Sequence, residues 1–239
     1  MKSGRAGREL RIDGTFASCY RPGSALAGPV WDALVAPLAW LPPRRRNRVL
    51  ILGLGGGSAA RAARALAPRA RIVGVEMDPA VVRAARRHLG LGRLGVEVVV
   101  ADARAWLARA RGRFDLVIED VFTGSGRRVH KPDWLPEPGL ARAARLVAPG
   151  GLLASNALDE LPASAAVLST VFPSRVAIAI AGWDNRILVA GPRALSATRL
   201  RRALAADPLL APTLRRLALR SLRAPAEAGP TRAESSAPR

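Results

Sequence analysis

The chain is short of lysine, cysteine, tyrosine and histidine, and each shortage removes a class of explanation. Lys2 and Lys131 are the only lysines among 38 basic residues, the rest being arginine, so the formal net charge of +20 reflects an arginine-for-lysine habit of the whole coding sequence. Incidental surface arginine outweighs a selected polyanion footprint, and nucleic acid is a disfavoured partner. Cys19 stands alone, which excludes an internal disulfide. The two histidines, His88 and His130, exclude a His-rich metal site, and no metal is expected. Met1 to Leu10 is charged and lacks the apolar centre of a secretory signal, while the longest apolar stretch, Ser24 to Leu41, is interrupted by Pro29, Asp32 and Pro37. A cytoplasmic protein without a membrane span is expected.

What is present is an organising stretch, Arg48-Val-Leu-Ile-Leu-Gly53-Leu-Gly55-Gly-Gly57-Ser58. An unbroken apolar run fits a strand buried on both faces of a parallel sheet. Glycines follow that tolerate positive φ and the close approach of a ligand, and the alanine-rich run from Ser58 to Ala67 then offers the free N–H groups of a helix N-terminus. The pattern suits a nucleotide cradle.

Around it the 239 residues divide into an N-terminal extension and capping helix (1–47), a Rossmann-like nucleoside-binding domain (48–191), C-terminal helices (192–223) and a disordered tail (224–239). One strand-like piece is expected near Arg11 to Phe16, and a helix or broken helix between 24 and 41, covering one edge of the sheet. From Arg48 strands alternate with helices: Arg71 to Asp78, Val96 to Ala101, Phe114 to Glu119 and Leu152 to Asn156 are strands. Asp78 and Pro79 are the N-cap and first residue of a helix that Gly90 ends. Arg175 to Ile180 and Arg186 to Ala190 form an antiparallel hairpin. The expected fold is α/β, a Rossmann-like, mostly parallel seven-stranded sheet with a C-terminal antiparallel hairpin and helices on both faces. Thr198 to Ala206 and Leu209 to Arg223 are read as helices.

Ligands of such sheets bind over the carboxyl ends of the strands. Glu76, 23 residues beyond Gly53, stands where a carboxylate can accept ribose hydroxyls, and Asp102 where one can take an adenine amine; Asp102 alone would equally be a helix N-cap. The dinucleotide pattern fails because Ser58 occupies its third glycine position, leaving G-x-G-x-G at Gly53, Gly55 and Gly57. No Walker lysine is present, which removes the P-loop reading.

Gly53-Leu-Gly-Gly-Gly-Ser58, Val75-Glu-Met-Asp78, Ala101-Asp-Ala103 and Phe114-Asp-Leu-Val-Ile-Glu-Asp120 resemble the S-adenosylmethionine-dependent methyltransferase superfamily and, within it, spermidine synthase and its relatives, over about residues 48 to 191. The resemblance implies S-adenosylmethionine or its decarboxylated form as cofactor, polyamine biosynthesis as the setting, and no metal. Gly53, Gly55 and Gly57 would lie beneath the amino-acid or aminopropyl arm, Glu76 would hold the ribose, and Asp102 with Ala103 the adenine. Asp120 matches the first aspartate of the family's D-[ST]-[ST]-D segment, which helps position and deprotonate the attacking amine. Thr123 stands where the second aspartate belongs, and Tyr20 is the chain's only tyrosine, so a polycation pocket is not matched.

The loop Thr123 to Pro138 contributes Arg127, Arg128, His130 and Lys131, offset only by Asp133 and Glu137. His130 is a base or a solvent-facing side chain, Trp134 a lid or an anchor, and Asn156 a substrate contact or a backbone partner. Trp183 would pack at a homodimer contact or cover the sheet edge. Three readings follow: an aminopropyltransferase-like enzyme, a methyltransferase on a small or acidic acceptor, and a non-catalytic polyanion binder, with the enzyme readings preferred because strand-end acids have little use in an empty cradle.

Overall fold

The computed structural model describes residues 2–4, 7–126 and 128–222, with side chains from residue 7 onward; Arg127 and the expected tail 224–239 lie outside the described residues. The chain opens with an antiparallel sheet of β1 (Lys2–Gly4), β2 (Gly7–Ile12) and β3 (Thr15–Tyr20). Asp13-Gly14 joins β2 to β3 with both residues at positive φ (47° and 81°), the backbone a two-residue hairpin needs. Sequence reading located only one strand-like piece here, although Asp-Gly between the β-branched Ile12 and Thr15 is itself a hairpin signal.

The 24–41 segment is a broken helix, α1 (Pro29–Val35) and α2 (Pro37–Trp40), split where Pro37 cannot donate to the preceding turn. It covers a face of the large sheet at its antiparallel side and packs on the first long helix, rather than capping an edge. The arginine triplet that follows is only partly solvated. Arg46 donates to the carbonyls of Leu41 (2.8 Å), Ala39 (3.2 Å) and Leu66 (3.2 Å), closing helix ends that lack other partners.

From there the alternation holds: β4 (Arg48–Leu52), α3 (Ser58–Leu66), β5 (Arg71–Glu76), α4 (Pro79–His88), β6 (Val96–Val100), α5 (Ala103–Arg109), β7 (Phe114–Glu119), α6 (Gly139–Ala144), β8 (Val147–Ala157), α7 (Leu161–Ser169), β9 (Ser174–Ile180) and β10 (Arg186–Gly191). Asp78 caps α4 through Ala80 N–H (2.7 Å), and Gly90 follows the helix at φ +67°. Pro149-Gly150-Gly151 bulges out of β8, so Phe114 pairs Val147 while Leu116 pairs Leu152.

The C-terminus departs from expectation. α8 (Ala197–Ala206) forms, but Leu217–Leu222 is a strand, β11, pairing antiparallel with β9. Leu210, Leu214 and Leu217 fit a helical stripe, yet Leu217 and Leu219 also alternate with Ala218 and Arg220, and the free edge of β9 selects the period of two. Among the described residues the sheet therefore has eight strands, β11-β9-β10-β8-β7-β4-β5-β6, parallel from β8 through β6 and antiparallel beyond β8. This is the expected Rossmann-like sheet with one additional edge strand.

The unbroken apolar run of β4 is explained by two cores. Val49 and Ile51 face the layer of α1, α2, α3 and α8, whereas Leu50 and Leu52 face that of α5, α6 and α7. Burial on both faces fixes the register of β4 and hence the position of the glycine turn at its end.

Candidate active site

A cavity of about 570 Å³ opens over the carboxyl ends of β4, β5, β6 and β7, within the range of small-molecule sites. Gly53, Gly55, Glu76, Asp102, Ala103, Asp120, Thr123 and Trp134 all line it. Gly53 has φ +81°, and a Cβ there would collide with the Asp120 carbonyl, so this glycine lets two strand ends meet. Glu76 is held by two backbone donors, Gly55 N–H (2.8 Å) and Asp78 N–H (3.1 Å). Asp102 caps α5 through Ala105 N–H (2.7 Å) while also lining the cavity, so both readings of this aspartate apply.

Gly57 and His130 are not brought into the cavity. Gly57 takes φ +86° ahead of α3 and faces Leu91, a packing position. His130 is exposed, its Nδ1 2.9 Å from the Arg128 carbonyl, in a bridge with Thr123. The helix N-terminus is also less available than expected. Ser18 Oγ accepts from Gly56 N–H (2.7 Å), and Ser58 Oγ bonds both N–H and C=O of Cys19, so β3 lies across the start of α3.

The basic loop is likewise partly spent. Lys131 is buried, donating to Glu119 (2.7 Å) and the Val121 carbonyl (3.0 Å) with its ammonium over the Phe122 ring (3.9 Å). Glu119 also accepts from Ser155 Oγ (2.6 Å) and Val121 N–H (2.8 Å). Trp134 is both anchor and wall, being buried in the core while lining the cavity.

Asp120 follows directly. Its carboxylate accepts from Asn156 Nδ2 (2.7 Å), and Asn156 Oδ1 accepts from Asn185 Nδ2 (3.0 Å). Burial pushes the carboxyl up from 3.8 to about 6; hydrogen bonding from Asn156 and the Lys131 ammonium pull it down, Glu119 pushes it up, and a hydrogen bond from Trp31 lowers it again. The group is thus ionised near neutral pH yet basic enough to take a proton. Arg186 donates to the carbonyls of Trp183, Asp184 and Asn185, which fixes the hairpin turn that delivers Asn185.

A methyltransferase-domain family model matches residues 49–151. The polyamine aminopropyltransferase of Mycobacterium tuberculosis is 35% identical over 167 residues, covering 64% of this chain and 30% of that protein. A probable spermidine synthase from Corynebacterium glutamicum superposes with a TM-score of 0.69 at 23% identity, covering 92% of this chain and 84% of its own. Human methyltransferase-like protein 13, solved in complex with SAH, gives 0.63 at 24%, covering 84% and 96%. The chain has a methyltransferase-type fold and is similar in sequence to polyamine aminopropyltransferases. At these structural identities the likeness is one of fold, and the chain spans less than a third of the mycobacterial relative's length.

Reading the sequence missed the wall contributed by the N-terminal segment. Ile12, Thr15, Phe16 and Ala17 of the hairpin and Trp31 of α1 line the cavity, as do Met77, Phe122 and Asn185. The hairpin is tied down by Gly126 N–H, which donates to the Asp13 carbonyl (3.2 Å) and Thr15 Oγ1 (3.0 Å). No local pattern announces these approaches; only Asp13-Gly14 marks the turn. Among the described residues no helix is long and apolar enough to cross a membrane.

Proposed function

We propose that the chain is a transferase that binds S-adenosylmethionine or decarboxylated S-adenosylmethionine and moves an alkyl group, aminopropyl in the decarboxylated case, to an amine. The observation that carries this is the convergence of Glu76, Asp102 and Asp120 on one cavity, with the turn at Gly53 between them. Glu76, preorganised by two backbone donors, is suited to ribose hydroxyls; Asp102 and Ala103 suit the adenine; Gly53 and Gly55 leave room for the arm. The cofactor supplies an alkyl carbon on a sulfonium, a leaving group that departs as a neutral thioether.

Asp120 would take a proton from the acceptor ammonium, and the neutral nitrogen would then form the C–N bond as the C–S pair leaves with sulfur. Asn156 holds that carboxylate oriented, and the hairpin, tied to the loop through Gly126, forms a wall of the cavity. Methyl transfer is the second reading, favoured by the methyltransferase-domain match. The polyanion reading loses support because Arg46, Arg64 and Arg186 spend their guanidinium groups on backbone carbonyls. A homodimer through Trp183 has no support from its position, since that ring faces the cavity.

Calorimetric titration with S-adenosylmethionine, decarboxylated S-adenosylmethionine and methylthioadenosine tests the reading. Preference for the decarboxylated form supports aminopropyl transfer, preference for the intact amino acid supports methyl transfer, and binding of none overturns both. With a cofactor bound, Asp120→Asn is expected to abolish turnover while leaving cofactor affinity unchanged.

A further inference from the structure

The cavity has two unlike halves, divided by the turn after β4. Glu76 and Asp102 end β5 and β6 on one side; Asp120 ends β7 on the other, beside the ends of β8 and β10. At about 4.8 Å per strand, β7 lies about 10 Å from β5 and about 14 Å from β6, and the Glu76 carboxylate is already held by the Gly55 and Asp78 N–H groups, so neither carboxylate of the first half serves the second. Among the described residues lining the acceptor half, Asp120 is the sole carboxylate. Asp133, Glu137 and Asp184 do not line the cavity, and Glu119 is saturated by Lys131, Ser155 and Val121.

Beyond Asp120 that half carries the neutral polar Thr15, Thr123, Asn156 and Asn185, and the remainder of its lining is apolar, with several aromatic rings. Phe16 meets Trp31 edge-on at 5.2 Å and stacks with Trp183 at 6.1 Å, and Ile12 and Phe122 extend the wall. Trp31 lines the same cavity as Asp120, and Trp183 is carried by the turn whose Asn185 holds Asn156, so the ring cluster and the one carboxylate share this half. A second ammonium on the acceptor would lie against these rings without an anion. Ring faces attract a cation more weakly than desolvating an unpaired ammonium costs.

We infer that the acceptor is a monoamine with an apolar, aryl or branched body, its nitrogen at Asp120 and its body against Phe16, Trp31 and Trp183. This rests on the transferase reading for its donor, but the acceptor half is argued from its own lining. Thr123 is then a specificity-determining residue: it lines the cavity at an exposed position where a carboxylate would be accommodated.

The test is calorimetric, on the full chain. Methylthioadenosine is titrated first; its failure to bind counts against the nucleoside reading alone, and the amines are then titrated into the unliganded protein. Phenethylamine is expected to bind at least tenfold more tightly than 1,4-diaminobutane. Phe16→Ala and Trp183→Ala should erase that preference, and Thr123→Asp should improve diaminobutane binding about tenfold without improving phenethylamine. Diaminobutane binding as tightly as phenethylamine, or neither amine binding, overturns the inference.

Discussion

Asn156 Nδ2 lies 2.7 Å from Asp120 Oδ1, and the same amide accepts from Asn185 through its oxygen, so its orientation is fixed by both neighbours. A donor aimed at an enclosed carboxylate favours the ionised form, and a hydrogen bond to a charged group contributes about 1.5 to 3 kcal/mol. Asn156→Ala should therefore raise the Asp120 carboxyl beyond about 6 by roughly one to two pH units. The acid limb of the pH–rate profile should move up accordingly, lowering turnover at pH 7 by up to about tenfold. An unmoved limb would show that Asp120 does not titrate in the reaction.

Glu76 presents a different balance, because its carboxylate satisfies Gly55 and Asp78 N–H groups besides facing the cavity. Truncation to alanine would leave two donors unpaired and blur binding with folding. Glu76→Gln keeps one acceptor oxygen and removes the charge. Its affinity for methylthioadenosine should fall by about 1.5 to 3 kcal/mol, and the loss of folding stability should be smaller than in the alanine variant because one backbone donor rather than two is left unpaired. Equal affinity in the folded variant would remove Glu76 from the ribose role.

How much of this was legible in the sequence depends on how local each signal is. The β4 run, the glycines after it and the acids at strand ends are contiguous or fall at fixed offsets, so the fold and the strand-end lining of the cavity could be read directly. Lys131 could not, since its partner Glu119 lies on a strand end and turns a loop lysine into a buried ion pair. Leu217 and Leu219 fit a strand as well as a helix, and only the edge of β9 decides. The aromatic wall joins Phe16, Trp31 and Trp183 across most of the chain, with no periodicity linking them.

The Lys131–Glu119 pair makes its own prediction. Both side chains are nearly inaccessible, and removing one partner from a buried pair leaves the other charge uncompensated, at a cost of about 3 to 5 kcal/mol. Lys131→Met should lower stability by that order in urea unfolding. The double variant Lys131→Met, Glu119→Gln should recover much of the loss, because no charge then remains buried. A single variant as stable as the parent would mean that Lys131 is not buried in solution.

Asp32 in α1 carries a charge that the fold tolerates rather than uses. It is buried, accepting from Ala27 N–H (3.1 Å) and Gly28 N–H (3.3 Å). Burial raises its carboxyl from 3.8 to about 6, against the lowering effect of those two donors and of Arg21. Between these values the folded chain holds a proton that the unfolded chain has lost, so stability falls as pH rises through that window. The displacement corresponds to at most about 3 kcal/mol at neutral pH. Asp32→Asn retains an accepting oxygen for both backbone donors and cannot ionise. It should match the parent near pH 4 and exceed it in melting temperature at pH 7. Because Asp120 contributes a slope of the same sign, only the difference between variant and parent isolates Asp32, and a variant less stable at pH 7 would mean that its pairing with Arg21 outweighs the burial of its charge.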